Sequence, residues 1–173
     1  MAEKNIKEVF LDFNLKEAGA RIISYLALFI AFTTVATFIH IPGPSSSYFN
    51  LGELAIYSIA LVFGGKAGGI AGGVGSAMAD LILGYSIWAP FTFIVKGLEG
   101  YVVGKISEEG NLIRNILAII VGGHIMIIGY AITKGFLISW AVILAEIGID
   151  YGQMIIGGIA ALIIANKLNE FLK

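Results

Sequence analysis

Three ionisable residues inside one apolar stretch have the side chains most able to bind a ligand. Asp80, Lys96 and Glu99 lie between Phe63 and Gly104, in segments apolar enough to sit in a bilayer. A charge at that depth costs roughly 3 kcal/mol or more unless it is paired or faces a cavity. We therefore expect a polar binding site within the membrane, built around these residues.

The spacing of these charges leaves two interpretations open. Asp80 lies about one helical turn inside one predicted span and Lys96 about two turns inside the next. A rise of about 1.5 Å per residue puts the two at similar depths. They either form a structural ion pair or contact a polar ligand. Glu99 follows Lys96 by three residues on the same helix face. If Glu99 forms the ion pair with Lys96, Asp80 is free to bind a ligand.

The composition is that of an integral membrane protein. Of 173 residues, 58% are hydrophobic and 13% are charged, and the mean hydropathy is +0.90, whereas soluble domains carry about 25% charged residues. The net charge of −1 gives no argument for nucleic acid, and the lack of cysteine excludes disulfides and thiolate catalysis. The sequence has no nucleophile–base pair, metal cluster, cofactor motif or P-loop, so neither an enzyme nor a metal or cofactor site is predicted.

Apolar segments predict one all-α domain over 1–173, an integral membrane protein folded as a compact bundle of six transmembrane helices. Residues 1–21 are expected to form a cytoplasmic or interfacial segment ahead of the bundle at 22–168. Residues 136–149 are apolar but short, and form either a re-entrant or surface helix or an extension of a neighbouring span. The six predicted spans are 22–39, 53–63, 67–83, 88–103, 112–132 and 151–168.

Lysine and arginine are distributed asymmetrically over the predicted loops. Nine of them fall on one side and only Lys134 on the other, and cytoplasmic loops are the ones rich in these residues. Both termini are therefore predicted to be cytoplasmic. The polar residues that this topology brings to the outer face are His40, Tyr48, Asn50, Glu53, Asp80, Tyr85, Trp88, Lys96, Glu146, Asp150, Tyr151 and Gln153. Their convergence predicts a binding pocket open to the outside.

Several other features surround this predicted pocket. Tyr48, Tyr57, Tyr85 and Trp88 form either an interfacial aromatic belt or a surface that stacks on a flat ligand ring. The polar SSSYFN loop is a candidate lid, and His124 is expected to hydrogen-bond a neighbour. Small residues four apart allow helices to approach closely, which predicts close packing along the third span. Its two stripes are Gly65, Gly69, Gly73 and Ala77, and Gly68, Gly72 and Ser76.

A chain of motifs extends from the end of the first span through the fourth. The motifs are IPGP at 41–44, YFNLGE at 48–53, FGGKAGGIAGGVGSAMAD at 63–80 and GYSIWAPFTFIVKGLEG at 84–100. They resemble the substrate-binding S components of energy-coupling factor (ECF) transporters, especially the riboflavin type and the hydroxymethylpyrimidine/pyridoxine type. The resemblance covers about residues 22–105, and the rest of the chain agrees in hydropathy and length.

The resemblance implies a multi-pass protein of a prokaryotic plasma membrane that captures a water-soluble vitamin or precursor from outside. Riboflavin and a hydroxymethylpyrimidine- or pyridoxine-like ring are the implied substrates. It also implies docking to a transmembrane coupling (T) subunit and two ATPase subunits, with Ala27 and Ala31 at the coupling-subunit contact. The implied pocket residues are Asn50, Glu53, Trp88, Lys96, Glu146 and Gln153, and Asp80 joins them as a candidate from its place in a family motif.

A second hypothesis needs no partner subunits. Asp80, Lys96, Glu99 and His124 together could carry a proton or ion through a small ion- or proton-coupled membrane transporter. Uptake that depends on a proton gradient in vesicles without any ATPase would distinguish this hypothesis from the first.

Overall fold

Five long helices make up most of the chain in a computed structural model, which describes residues 7, 9–10, 19–43 and 48–172. A short antiparallel hairpin connects the first helix to the second and pairs His40 with Asn50 and Pro42 with Tyr48. In chain order the elements are α1 (Ala20–Phe38), β1 (His40–Pro42), β2 (Tyr48–Asn50), α2 (Gly52–Leu83), α3 (Ala89–Ile106), α4 (Leu112–Leu137) and α5 (Trp140–Phe171).

The prediction of an all-helical membrane protein is confirmed, whereas the count of six helices is not. Within the described part of the chain, α1, α2, α4 and α5 are long and apolar enough to cross a membrane. The helix α3 is less apolar because its 18 residues include Lys96, Glu99 and Lys105. The predicted second and third spans both fall within α2. The predicted cytoplasmic location of both termini is not supported by any contact of the described residues.

A backbone break divides α2 at Gly64, which has a φ of 83° and a ψ of 178°. A Cβ atom added at Gly68 would lie 2.6 Å from the Ala60 Cβ, and one at Gly72 would lie 3.3 Å from the Ile56 Cγ2. Such pairs are far apart along a continuous helix, since each residue adds about 1.5 Å. The two halves of α2 therefore fold back on each other in antiparallel fashion, with Gly64 at the reversal.

The segment 136–149 belongs to its neighbouring helices, as one of the sequence-based alternatives proposed, and it is not a separate re-entrant or surface helix. The helix α4 continues to Leu137, and α5 begins at Trp140 instead of near Tyr151. The Ser139 hydroxyl accepts a hydrogen bond from the backbone N–H of Ala141 and caps the start of α5. The early start gives α5 an extra inward-facing stretch, which carries Glu146 and Asp150.

The glycine stripes pack against the backbone of α3, which confirms the expectation of close packing. A Cβ atom at Gly72 would lie 2.6 Å from the Lys96 carbonyl oxygen, and one at Gly73 would lie 2.8 Å from that of Phe93. Only a residue without a side chain allows so close an approach. The contact fixes the position of α3, and with it the side chain of Lys96, relative to α2.

Most of the predicted interfacial segment 1–21 and residues 45–47 of the predicted lid lie outside the described residues. Of the described N-terminal residues, Phe10 is buried, with its ring centroid 5.5 Å from that of Phe29 and 5.6 Å from that of Phe63. The Lys7 ammonium donates hydrogen bonds to the Glu109 carboxylate and to the Asn169 side-chain oxygen, both at 2.7 Å. These contacts place Lys7 and Phe10 at the end of the bundle that lies away from the hairpin.

Candidate functional site

A cavity opens at the end of the bundle beside the β1–β2 hairpin. It encloses about 500 Å³ of space free of protein atoms, counted out to its open mouth. Its lining combines aromatic rings with charged and amide groups, as small-molecule sites do. The lining residues are Tyr48, Asn50, Asp80, Tyr85, Trp88, Thr92, Lys96, Tyr130, Lys134, Asp150 and Gln153. Of the seven binding residues proposed from the sequence, five line it: Asn50, Asp80, Trp88, Lys96 and Gln153.

Asn50 and Gln153 connect the hairpin to α5 at the cavity wall. The Gln153 Oε1 accepts hydrogen bonds from the backbone N–H of Asn50 at 2.8 Å and from its Nδ2 at 2.7 Å. The Asn50 Oδ1 in turn accepts from the backbone N–H of Gly52 at 2.7 Å, at the start of α2. Because all of these atoms are buried, the network holds three elements in one arrangement.

Lys96 lies at the base of the cavity between two buried glutamates. Its Nζ forms an ion pair with Glu53 and lies 3.0 Å from the Glu99 Oε2. The Tyr57 hydroxyl donates a hydrogen bond to the Glu99 Oε1 at 2.6 Å, and the Tyr130 ring centroid lies 5.5 Å from Nζ. Glu99 is thus a partner of Lys96, as one sequence-based interpretation had it. Glu53 lies behind Lys96 and is not part of the cavity lining.

Lys134 forms a second group of the same kind. Its Nζ lies 2.7 Å from the Asp150 Oδ2 and 3.2 Å from the Glu146 Oε2. The sequence placed Lys134 in an outer loop, but it is buried in the last turn of α4 because α5 begins early enough to bring both acids against it. Glu146 lies behind Lys134 and is not in the lining, whereas Asp150 is.

Asp80 has no ion-pair partner among the described residues. Its Oδ1 accepts a hydrogen bond from the Tyr48 hydroxyl at 2.8 Å. Burial, and then the negative charge of Asp80, raise the pKa of Tyr48 well above its ordinary value, so the hydroxyl stays protonated and remains a donor. The ring centroids of Tyr48 and Tyr85 are 5.5 Å apart, which extends an aromatic wall along this side of the cavity.

Sequence analysis missed three lining residues, Thr92, Tyr130 and Lys134. Thr92 precedes Lys96 by four residues on α3, and Tyr130 precedes Lys134 by four on α4. Residues four apart share one face of a helix. The same periodicity, applied from Lys96, would have identified Thr92, but Tyr130 could be found only once Lys134 was known to face inward.

Other residues singled out in the sequence lie away from the cavity. His124 is half-buried; its Nδ1 lies 2.7 Å from the Ile120 carbonyl oxygen, and its ring packs edge-on against Tyr151. Ala27 and Ala31 are exposed on the outer side of α1. Over the described ranges, no three His, Cys, Asp or Glu side chains are arranged to hold a metal ion.

A helical bundle with membrane-spanning helices and an aromatic, polar cavity at one end defines a membrane protein that binds a small molecule. The family model of the ECF-type riboflavin transporter, S component, matches residues 18–170, and the chain belongs to that family. The chain is thus a transporter subunit and not an enzyme.

Two relatives extend the comparison. The chain is 38% identical over 149 residues to the "Uncharacterized protein in gap 3'region" of Pyrococcus woesei, which covers 83% of this chain and 100% of that protein. It is 28% identical over 170 residues to the thiamine precursor transporter HmpT of Lactococcus lactis subsp. cremoris (strain MG1363), covering 95% of this chain and 89% of HmpT.

Proposed function

We propose that this protein captures a single-ring vitamin precursor of the hydroxymethylpyrimidine or pyridoxine type for an ECF importer. The observation that carries the choice of ring is the match to HmpT, a thiamine precursor transporter, over 95% of this chain and 89% of HmpT. The cavity, with about 500 Å³ of space counted out to its open mouth, has room for a substituted single ring.

The lining supports the same choice by its chemistry. Tyr48, Tyr85, Trp88 and Tyr130 offer ring faces to a flat ligand. The polar groups beside them, including the Thr92 hydroxyl, can hydrogen-bond the edge of a heterocycle. The similarity to HmpT, a thiamine precursor transporter, is consistent with a pyrimidine as ligand.

The proposed arrangement in the membrane is based on membership of the ECF S-component family. In this arrangement the two halves of α2 cross the membrane separately, so that the chain crosses six times with both termini in the cytoplasm of a prokaryote. The exposed Ala27 and Ala31 of α1 dock to the coupling subunit, and two ATPase subunits bound to that subunit supply the energy.

Tryptophan fluorescence tests the substrate directly, because Trp88 lines the cavity and Trp140 is 61% exposed on α5. Purified protein, freed of retained ligand that is identified by mass spectrometry, is titrated with hydroxymethylpyrimidine, pyridoxine and riboflavin. We expect a saturable change with a single-ring compound that persists in Trp140→Phe and is lost in Trp88→Phe. Stoichiometric riboflavin as the only ligand would overturn the choice of ring. Proton-driven uptake in vesicles without ATPases would favour the ion-coupled alternative.

A further inference from the structure

The charges around the cavity do not balance. Five buried carboxylates, those of Glu53, Asp80, Glu99, Glu146 and Asp150, surround two buried ammonium groups, those of Lys96 and Lys134. If all were ionised, the site would carry three excess negative charges. Uncompensated charge is costly in a protein interior at membrane depth. A cation in the cavity would lower that cost.

Both lysines form ion pairs with carboxylates other than that of Asp80. Lys96 contacts Glu53 and Glu99, and Lys134 contacts Glu146 and Asp150. Each ammonium group therefore lies between two carboxylates, and neither forms an ion pair with Asp80. The Lys96 charge acts on Asp80 only at longer range. Of these five carboxylates, Asp80 is thus the one to which no described residue supplies a paired cation.

The free oxygen of Asp80 belongs to the cavity. The residue is 3% exposed and lines the cavity, and the Tyr48 hydroxyl holds its Oδ1. Thr92 lies beside the carboxylate, yet no described donor reaches hydrogen-bond geometry with Oδ2. A buried carboxylate oxygen without a donor costs free energy, which a ligand recovers by supplying an N–H group.

Aromatic rings surround the same position. Tyr48 and Tyr85 pack against each other with ring centroids 5.5 Å apart, and Trp88 and Tyr130 also line the cavity. The negative face of an aromatic ring attracts a cation, and the attraction is larger where water is excluded. A flat cationic ring would therefore be stabilised by the ring faces and by the carboxylate together.

We propose that Asp80 binds a positively charged nitrogen of the ligand, and that the site selects basic, amino-substituted nitrogen rings bound as cations. The Oδ2 atom accepts a hydrogen bond from the ligand nitrogen while Tyr48 holds the opposite oxygen. This inference rests on the proposed function and narrows its substrate class.

A series of ligands of equal shape and different basicity tests the proposal at one pH. The probes are an aniline, an aminopyrimidine and an aminopyridine with the same methyl and hydroxymethyl substituents. The aminopyridine is the 4-amino isomer, whose ring nitrogen is protonated at neutral pH. In the wild type we expect it to bind about 10- to 100-fold more tightly than the neutral aniline, as expected for a hydrogen bond to a charged group. Asp80→Asn should reduce that ratio to a few-fold, whereas Glu170→Gln, a matched change at an exposed position, should leave it unchanged.

Equal affinities of the wild type for all three probes would overturn the inference, and so would a ratio that survives in a folded Asp80→Asn. The wild-type series decides the question even if Asp80→Asn does not fold, which a thermal melt would show. The two proposals fail differently. If all three rings bind equally, the inference that the ligand binds as a cation is wrong, but a single-ring substrate still stands. If riboflavin binds and no single ring does, the proposed substrate itself is wrong.

Discussion

At the scale of single residues, each buried lysine acts as a bridge between two acids. Lys96 joins Glu53 at the start of α2 to Glu99 on its own helix, and Lys134 joins α4 to two acids of α5. A buried ion pair is a weak source of stability, but removing one partner is strongly destabilising because the other charge is left uncompensated. The lysines therefore hold the base of the cavity together whether or not they contact ligand.

Lys96→Ala should lower the free energy of unfolding by about 3–5 kcal/mol, because it leaves two buried carboxylates without their cation. Unfolding of the purified protein in detergent measures the effect. Lys167→Ala, at an exposed position on α5, serves as the control and should change stability by about 0.5 kcal/mol or less. Equal losses in the two variants would contradict the structural role of Lys96.

At the scale of the elements, the glycines of α2 decide how closely its two halves and α3 approach. A Cβ atom at Gly68 would lie 2.6 Å from the Ala60 Cβ and 2.7 Å from the Gly100 carbonyl oxygen, whereas one at Gly148 on α5 would meet no atom within 4 Å. Gly68→Ala should therefore destabilise the protein by about 1–3 kcal/mol through overpacking. Gly148→Ala should be neutral or stabilising by up to about 1 kcal/mol, because alanine favours the helix.

Thermal melts of these two variants, which carry the same chemical change, provide the measurement. A stable Gly68→Ala would show that the halves of α2 do not contact each other at this position. The fold-back at Gly64 would then have to be abandoned.

The sequence predicted those parts of the elements that depend on local pattern. The small-residue stripes identified the tightly packed helix. Of the three charges in the apolar stretch, Asp80 and Lys96 line the cavity, whereas Glu99 pairs with Lys96 outside its lining. Burial of Lys134 was not predictable, because hydropathy assigns a lysine near a span end to a loop. Lys134 is buried because α5 packs Glu146 and Asp150 against it, and no local sequence pattern encodes such a tertiary contact. Tyr130 was missed for the same reason.

At the scale of the whole molecule, the two ends of the bundle differ in kind. The hairpin end holds the cavity and its network of Asn50 and Gln153. The other end is fastened by Phe10, buried against an aromatic cluster, and by Lys7, which contacts Glu109 and Asn169. With the cavity at one end and the contacts of Lys7 and Phe10 at the other, the sides of the bundle are the surfaces left for lipid and, in the proposed assembly, for partner subunits.

Ala27 and Ala31 test whether the side formed by α1 is the docking surface for the coupling subunit. Both are exposed, so the double change to leucine should alter neither stability nor ligand affinity. It should reduce co-purification with the coupling subunit and ligand uptake at least about 10-fold, since small residues allow close approach between membrane helices. Ala145→Leu, an exposed alanine on α5, should leave both unchanged. Normal assembly in the double variant would exclude this face of α1 and move the contact to another side of the bundle.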